Sequence, residues 1–292
     1  MAPNLLLETH NRVVYARVLE RVTNSNPDKK KFNEVLADFN KSLWLIAKTK
    51  ETFTVSAMIP CWAELKENRA MEYLQEVYGD IISESEDQNW NVTLTIPETV
   101  EKPEEFAMKC AKLLTNMLMA PAVIVAKEVK EGKASDKLIQ INYRPGEAYW
   151  LKPKDDRLTI IFSIRFEDKD DAVFGRVFIS EFSKGMQGAP ACDVVTRKGA
   201  PAPRELEGAE GLQEDSCYIS FLMEKRHLNN PPKTLEQMMT CRNYINFHLK
   251  CSKAFLHIRM RNKVQQMQLV LNRSKPERQV EKKTASGRTF KK

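Results

Sequence analysis

Apolar positions along the chain recur with two periods, and the changes of period mark out its elements. Residues 5–23 ("LLLETHNRVVYARVLERVT") follow the helical period of 3.6, and the polar "NSNPDKKK" closes them. Residues 35–59 are rich in β-branched and aromatic side chains and split at "KTKE", which predicts a two-stranded hairpin. Residues 61–79 return to the helical period, with Gly79 as the cap. "WNVTLTIP" (90–97) alternates as a short strand.

A second cycle opens at "PEEFAMKCAKLLTNMLM" (103–119), where Pro103 and two acids suit a helix start. Pro121 is expected to kink or restart this helix before "VIVAKEVKEG" ends it. "LIQINY", "AYWLKP", "RLTIIFSIRF", "VFGRVFISEF" and "CYISFLMEKRH" read as strands, with turns at "RPGE", "KDD" and "EDKDDA". Residues 184–216, with five Gly and three Pro, read as a long mobile loop. The two halves share an order of elements and a Trp–Leu pair before a Lys-containing turn (Trp44–Leu45, Trp150–Leu151), a weak internal repeat. Hairpins flanked by helices predict an α+β fold with two similar domains of antiparallel sheet, 1–100 and 101–232.

The last window, 233–275, has no Gly or Pro, and Thr234 with Gln237 forms a T-x-x-Q capping box. A helix over all of it is ~60 Å long, and a basic tail, 276–292, follows. One apolar stripe runs from Met238 through Cys241, Ile245, Leu249, Leu256, Met260, Val264 and Met267 to Leu271, and is expected to serve the chain's own sheet. A second, Tyr244, Phe247, Cys251, Phe255 and Ile258, covers only the middle and is expected to meet another subunit, because such a face left in water invites aggregation.

Composition is that of an ordinary globular protein, 42% hydrophobic and 29% charged. Charge is uneven. From Thr240 to Lys292 there are fourteen Lys or Arg against two Glu, a net +12 within a chain of net +7, so the remainder is weakly acidic. That distribution points to an acidic macromolecular partner. The six cysteines form no C-x-x-C, and Cys241 and Cys251, on one helix, lie ~15 Å apart, beyond disulfide reach; free buried thiols in a reducing compartment are expected. The N-terminus lacks the charge pattern of a signal peptide, and the longest apolar run, 113–126, is too short to span a bilayer, so a cytoplasmic chain without a transmembrane segment is expected.

Catalytic signatures are missing: no phosphate-binding Gly-rich loop, no H-E-x-x-H, no G-x-S-x-G. His248 and His257, nine residues apart, point to opposite sides of a helix and cannot share a metal. "EDKDDAVFG" lacks the ligand spacing of a calcium loop and reads as a solvated hairpin turn. No enzyme, cofactor or metal site is expected.

"KCSKAFLHIRMRNK", then "VLNRSKPE" and "GRTF", closely resembles the C-terminus of the 34-kilodalton subunits of the actin-related protein 2/3 complex. "LADFN", "EVYGD", "DRLTIIFSIRFEDKDDAVFGRVFISEFSKG" and "GAP" follow the same family order across the chain. Pro121 departs from it, falling where the family has a continuous helix, as do "NSNPDKKK" and "VVTRKGAPAPRE". The resemblance implies two related α/β domains, a long C-terminal helix and no bound nucleotide. It implies a scaffold subunit that pairs with the 20-kilodalton subunit, joins the other subunits, and contacts the side of the mother actin filament during branched nucleation. Association with cortical actin patches or cell projections follows. On this reading Lys263, Arg273, Lys275, Arg278, Lys282 and Lys283 face the filament, while Lys250, Lys253, Arg259 and Arg261 face either it or the partner subunit. Nucleic acid is the rival anion, but the tail lacks a dense basic block with interleaved aromatics, Phe290 standing alone there. A phosphoinositide surface would need a thicker basic cluster.

Overall fold

The computed structural model describes residues 8–23, 31–49, 52–182, 189–197, 199–213, 215–275, 282–283 and 289–290. Two five-stranded antiparallel sheets and seven helices make it α+β. The first sheet holds β1 (Phe32–Ala37), β2 (Leu43–Lys48), β3 (Phe53–Met58), β4 (Ile82–Glu84) and β5 (Val92–Thr95) in the order β1-β2-β3-β5-β4. The second holds β6 (Ile139–Arg144), β7 (Glu147–Lys154), β8 (Arg157–Ile164), β9 (Ala191–Val195) and β10 (Cys217–Met223) in the order β6-β7-β8-β10-β9. The two orders are the same, and each sheet has helix between its third and fourth strands. These are α2 (Trp62–Glu67) and α3 (Ala70–Tyr78) in the first sheet and α6 (Lys169–Phe182) in the second.

The repeat is therefore present in topology, but the Trp–Leu pairs do not mark it. Trp44 points into the main core with Ile46, whereas Trp150 points to the opposite side of its sheet, in a separate cluster with Ala148, Ile161 and Tyr218. Side chains alternate along a strand, so a shift of one residue reverses their faces.

Several elements differ from the sequence expectation. The hairpin split at "KTKE" is present as β2 and β3, but residues 35–37 belong to a further strand, β1. Asp38 ends β1 by accepting from the Phe39 amide (2.8 Å) and the Trp44 indole (2.7 Å), and Asn40 and Lys41 turn the chain at φ +60°. The 61–79 helix breaks at Arg69, which sits at φ +64°, though Gly79 does cap it. The N-terminal helix α1 (Arg12–Thr23) starts late because Asn11 accepts from the amides of Val13 and Val14; residues 5–7 lie outside the described residues, as does "NSNPDKK".

Pro121 interrupts nothing. The break falls at Lys112, between α4 (Pro103–Ala111) and α5 (Leu113–Lys130), with a bend of 71°. Residues of α5 are buried on all sides, from Leu113 to Val129, and it packs on β3, β7 and β8. That burial outweighs the ~3 kcal/mol cost of an internal Pro. No single helix among the described residues is long and apolar enough to cross a membrane.

"VFGRVFISEF", expected as a strand, is helix α6, and "EDKDDA" is its start rather than a hairpin turn. The Asp168 side chain accepts from the Asp171 amide (2.9 Å). Gly175 permits the close approach, since a Cβ there would lie 2.2 Å from the Phe166 ring. The 184–216 stretch is not all loop: it contributes β9, and Leu206 is buried in the cluster with Trp150 and Tyr218.

Strand registers define the outer face of the first sheet, opposite the helices. Val35, Leu45, Ser56, Thr93 and Ser83 form one row across it. Asn33, Ala47, Thr54 and Thr95 form the row on one side, and Ala37, Leu43 and Met58 the row on the other.

Candidate functional site

The final helix, α7, runs from Pro231 to Arg273 without a break. Pro231 and Pro232 occupy its first turn, where amides have no intrahelical partner to lose; Thr234 therefore lies inside the helix, not at its cap. Its root is a core element. Leu235, Met238, Met239, Cys241 and Ile245 are buried.

Arg242 belongs to the same root and was reckoned from sequence among the basic charges of the C-terminal segment. It is not available to a partner. Its Nε donates to both oxygens of Glu147 (3.0 Å each), its Nη2 donates to Glu147 Oε1 (2.9 Å), and its guanidinium lies 5.6 Å from the centre of the Phe166 ring. Arg242 and Glu147 are 6% and 5% exposed. The carboxylate also accepts from the Arg165 amide (2.8 Å) and approaches the Tyr143 hydroxyl at 3.4 Å. Burial, and next the Glu147 charge, push the Tyr143 phenol well above its ordinary value, so it remains a neutral donor. A partner 95 residues away in sequence leaves no local signal for this pair.

Beyond the root the helix changes character. From Cys251 to Lys275 every residue is exposed except Lys253, which is half-buried. The first apolar stripe, expected to pack on the chain's own sheet throughout, does so only in its early part. Leu256, Met260, Val264, Met267 and Leu271, spaced by four and three residues along one side, are 39–66% exposed. Phe255, Ile258 and Leu269 make a second exposed apolar line on another side. The sequence reading therefore assigned too much of this stripe to the chain's own sheet.

Of the residues expected to meet another subunit, Tyr244 and Phe247 are half-buried and Cys251, Phe255 and Ile258 exposed. Tyr244 meets Phe178 of α6 in a tilted ring contact, with ring centres 6.1 Å apart. The Arg259 guanidinium lies 5.5 Å from the Phe255 ring centre, a surface cation–π pair. Among the cations expected to face a filament, Lys263, Arg273 and Lys275 are exposed. Lys282 and Lys283 form β11 (Lys282–Lys283), which pairs with β12 (Thr289–Phe290) in a small hairpin that sequence gave no hint of. Arg278 lies outside the described residues.

No group of three or more His, Cys, Asp or Glu among the described residues could hold a metal. A cleft of about 250 Å³ beside His10 and Asp38 is lined mainly by apolar and amide side chains. The Asp38 carboxylate is committed to Asn11, Phe39 and Trp44.

Residues 55–278 match the family model described as "Arp2/3 complex, 34 kD subunit p34-Arc". The chain is 31% identical over 294 residues to actin-related protein 2/3 complex subunit 2 of Dictyostelium discoideum, covering 98% of this chain and 99% of that one. It is also 31% identical over 319 residues to the protein of the same name from Schizosaccharomyces pombe, with the same coverage. The matched range takes in seven of the ten strands of the two sheets completely, most of β3, and the whole of α7. On that match the chain belongs to the family of 34-kilodalton subunits of the actin-related protein 2/3 complex.

Proposed function

We propose that this chain is a scaffold subunit that pairs with the 20-kilodalton subunit through the exposed part of α7 and presents its basic end to the side of the mother actin filament. The observation that carries the reading is the run from Cys251 to Arg273, a helix exposed along six turns while bearing two lines of large apolar side chains. A free helix of that composition would be an aggregation hazard; one paired with a neighbouring helix buries both lines. Lys263 flanks the first line, three residues from Met260 and four from Met267, while Arg273 and Lys275 lie beyond the end of both lines, and Arg278, Lys282 and Lys283 extend the charge into the tail. An acidic filament surface suits them better than nucleic acid, since the tail offers a single aromatic, Phe290, rather than a series interleaved with the charges. The reading includes a cytoplasmic place in the actin cytoskeleton, at cortical patches or cell projections, and no catalytic role.

The test is co-sedimentation of the reconstituted complex with actin filaments, alongside a count of branches. Charge reversal of Arg273, Lys275 and Arg278 together is expected to weaken filament binding about tenfold, ~1.4 kcal/mol, while leaving assembly intact. Raised salt is expected to weaken the unaltered complex as well, since surface charges are screened over ~10 Å at 0.1 M. Unchanged binding and branching at low salt would move the filament contact away from this end of the chain.

A further inference from the structure

The outer face of the first sheet is an anomaly. An antiparallel sheet with one side in water ordinarily alternates apolar inward with polar or charged outward. Here the three rows of that face, from Asn33 to Thr95, hold no charged residue. The charged residues of these strands, Glu34, Lys48 and Glu84, all fall in register with the helix-covered side, and two of them meet helix cations there: Glu34 with Arg17 and Glu84 with Lys66. The outer face instead carries Val35, 60% exposed, with Leu43, Leu45 and Met58 half-buried, and a Ser56–Thr93 hydroxyl pair at 2.8 Å.

The second sheet shows what such a face is for. Its equivalent side carries Trp150, Ile161 and Tyr218, and these are buried because the chain lays its own segment over them, with Leu206 1% exposed and Leu212 beside it. That segment is an enlargement of one connection. Between β9 and β10 the chain spends residues 196–216, while between their counterparts β4 and β5 it spends only 85–91. The shorter link is taken up in joining the two strands and leaves nothing to cross the sheet.

We infer that the outer face of the first sheet, centred on Leu45 and Met58, is covered in the assembled complex by an uncharged, apolar segment of another subunit, which takes the place that residues 202–212 take on the second sheet. Charge complementarity selects the occupant: a face without charge would leave any charged segment desolvated and unpaired, so neither an acidic filament surface nor a basic tail fits it. The inference rests on membership of the complex and not on the filament or helix-pairing roles of α7, so either can fail alone.

Met58 reports on the face without any substitution. The full chain, at low concentration, and the purified complex, without filaments, are exposed to dilute hydrogen peroxide, and Met58 sulfoxide is followed by peptide mass spectrometry. Met223, buried in the core, serves as the slow reference. Oxidation of Met58 is expected to be at least tenfold slower in the complex than in the free chain. Equal rates in both would overturn the inference. So would protection already present in the dilute free chain, which would mean the chain covers its own sheet. Protection that appears only as the free chain is concentrated would assign the face to a second copy, and protection only after filaments are added would assign it to actin; both contradict the proposal. Leu45→Lys provides a second arm. The recovered amount of complex is expected to fall about tenfold, with the free chain's melting temperature little changed. Full recovery of complex would contradict the proposal, and should this variant misfold, the Met58 measurement still decides.

Discussion

The root and the outer part of α7 are the same helix with similar apolar content, yet they are stabilised in opposite ways. Up to Ile245 its apolar side chains are core, and its one arginine there is locked to Glu147. From Cys251 onward equally large side chains stand in solvent, and an arginine there rests on a phenylalanine ring at the surface. Amphipathic period alone does not separate the two parts. What separates them is whether the chain itself supplies a covering surface.

Two arginines test that contrast most strongly. Removing Arg242 leaves the buried Glu147 carboxylate only the longer Arg144 contact (3.4 Å) and the Arg165 amide, so Arg242→Ala is expected to destabilise the chain by about 3 kcal/mol. Arg259→Ala on the same helix is expected to cost no more than ~1 kcal/mol. Thermal or denaturant melts of both variants check this, and equal losses would erase the distinction between the two parts. Next in size is Phe255→Asp. On an exposed site it should leave the chain's own stability within about 0.5 kcal/mol, while co-purification with the other subunits is expected to fall tenfold or more. Unimpaired assembly would show that this part of the helix is not a pairing surface.

A smaller effect is expected from Lys263→Ala, an exposed cation worth ~0–1 kcal/mol in filament binding, measurable by the same co-sedimentation. The gentlest test changes no residue. Burial, and next the neighbouring Cys192, push the Cys241 thiol up to about 12, and burial likewise lifts Cys61 and Cys110 to about 12. At pH 8 these thiols stay protonated and resist alkylation, because the thiolate is the nucleophile. Exposed Cys251 is expected to be the first thiol modified in the free chain and to be shielded in the complex, as read by mass spectrometry of alkylated peptides.

Long, strongly periodic segments were legible in the sequence. The length of α7, the helical character of the largely apolar run 113–126, and the turns at Gly146 and Asp155 follow from local composition. Helix α6 was misread because Val173, Phe174, Val177 and Ile179 favour strands by type. The signal that could have corrected it was present: Asp168 and Asp171, three residues apart, are a helix-start pair. The late start of α1 and the breaks at Arg69 and Lys112 depend on side chains and packing that periodicity does not encode. Exposure along α7 was legible in part. The exposed apolar line of Phe255 and Ile258 was anticipated, but the exposure of Leu256 to Leu271 was not, since a stripe in sequence carries no mark of where its covering surface ends. Arg242 was miscounted for a related reason, because charge composition does not reveal a buried partner in a distant strand.

Helix α5 has one more consequence. It is buried against strands of both sheets, so it cannot be stripped from one without exposing the apolar surface of the other. The two topologically matched sheets are therefore a single cooperative unit in unfolding, and a calorimetric scan of the described body should give one transition rather than two. A repeat architecture that shares its central helix ties the fates of its two copies: whatever uncovers one sheet uncovers the other.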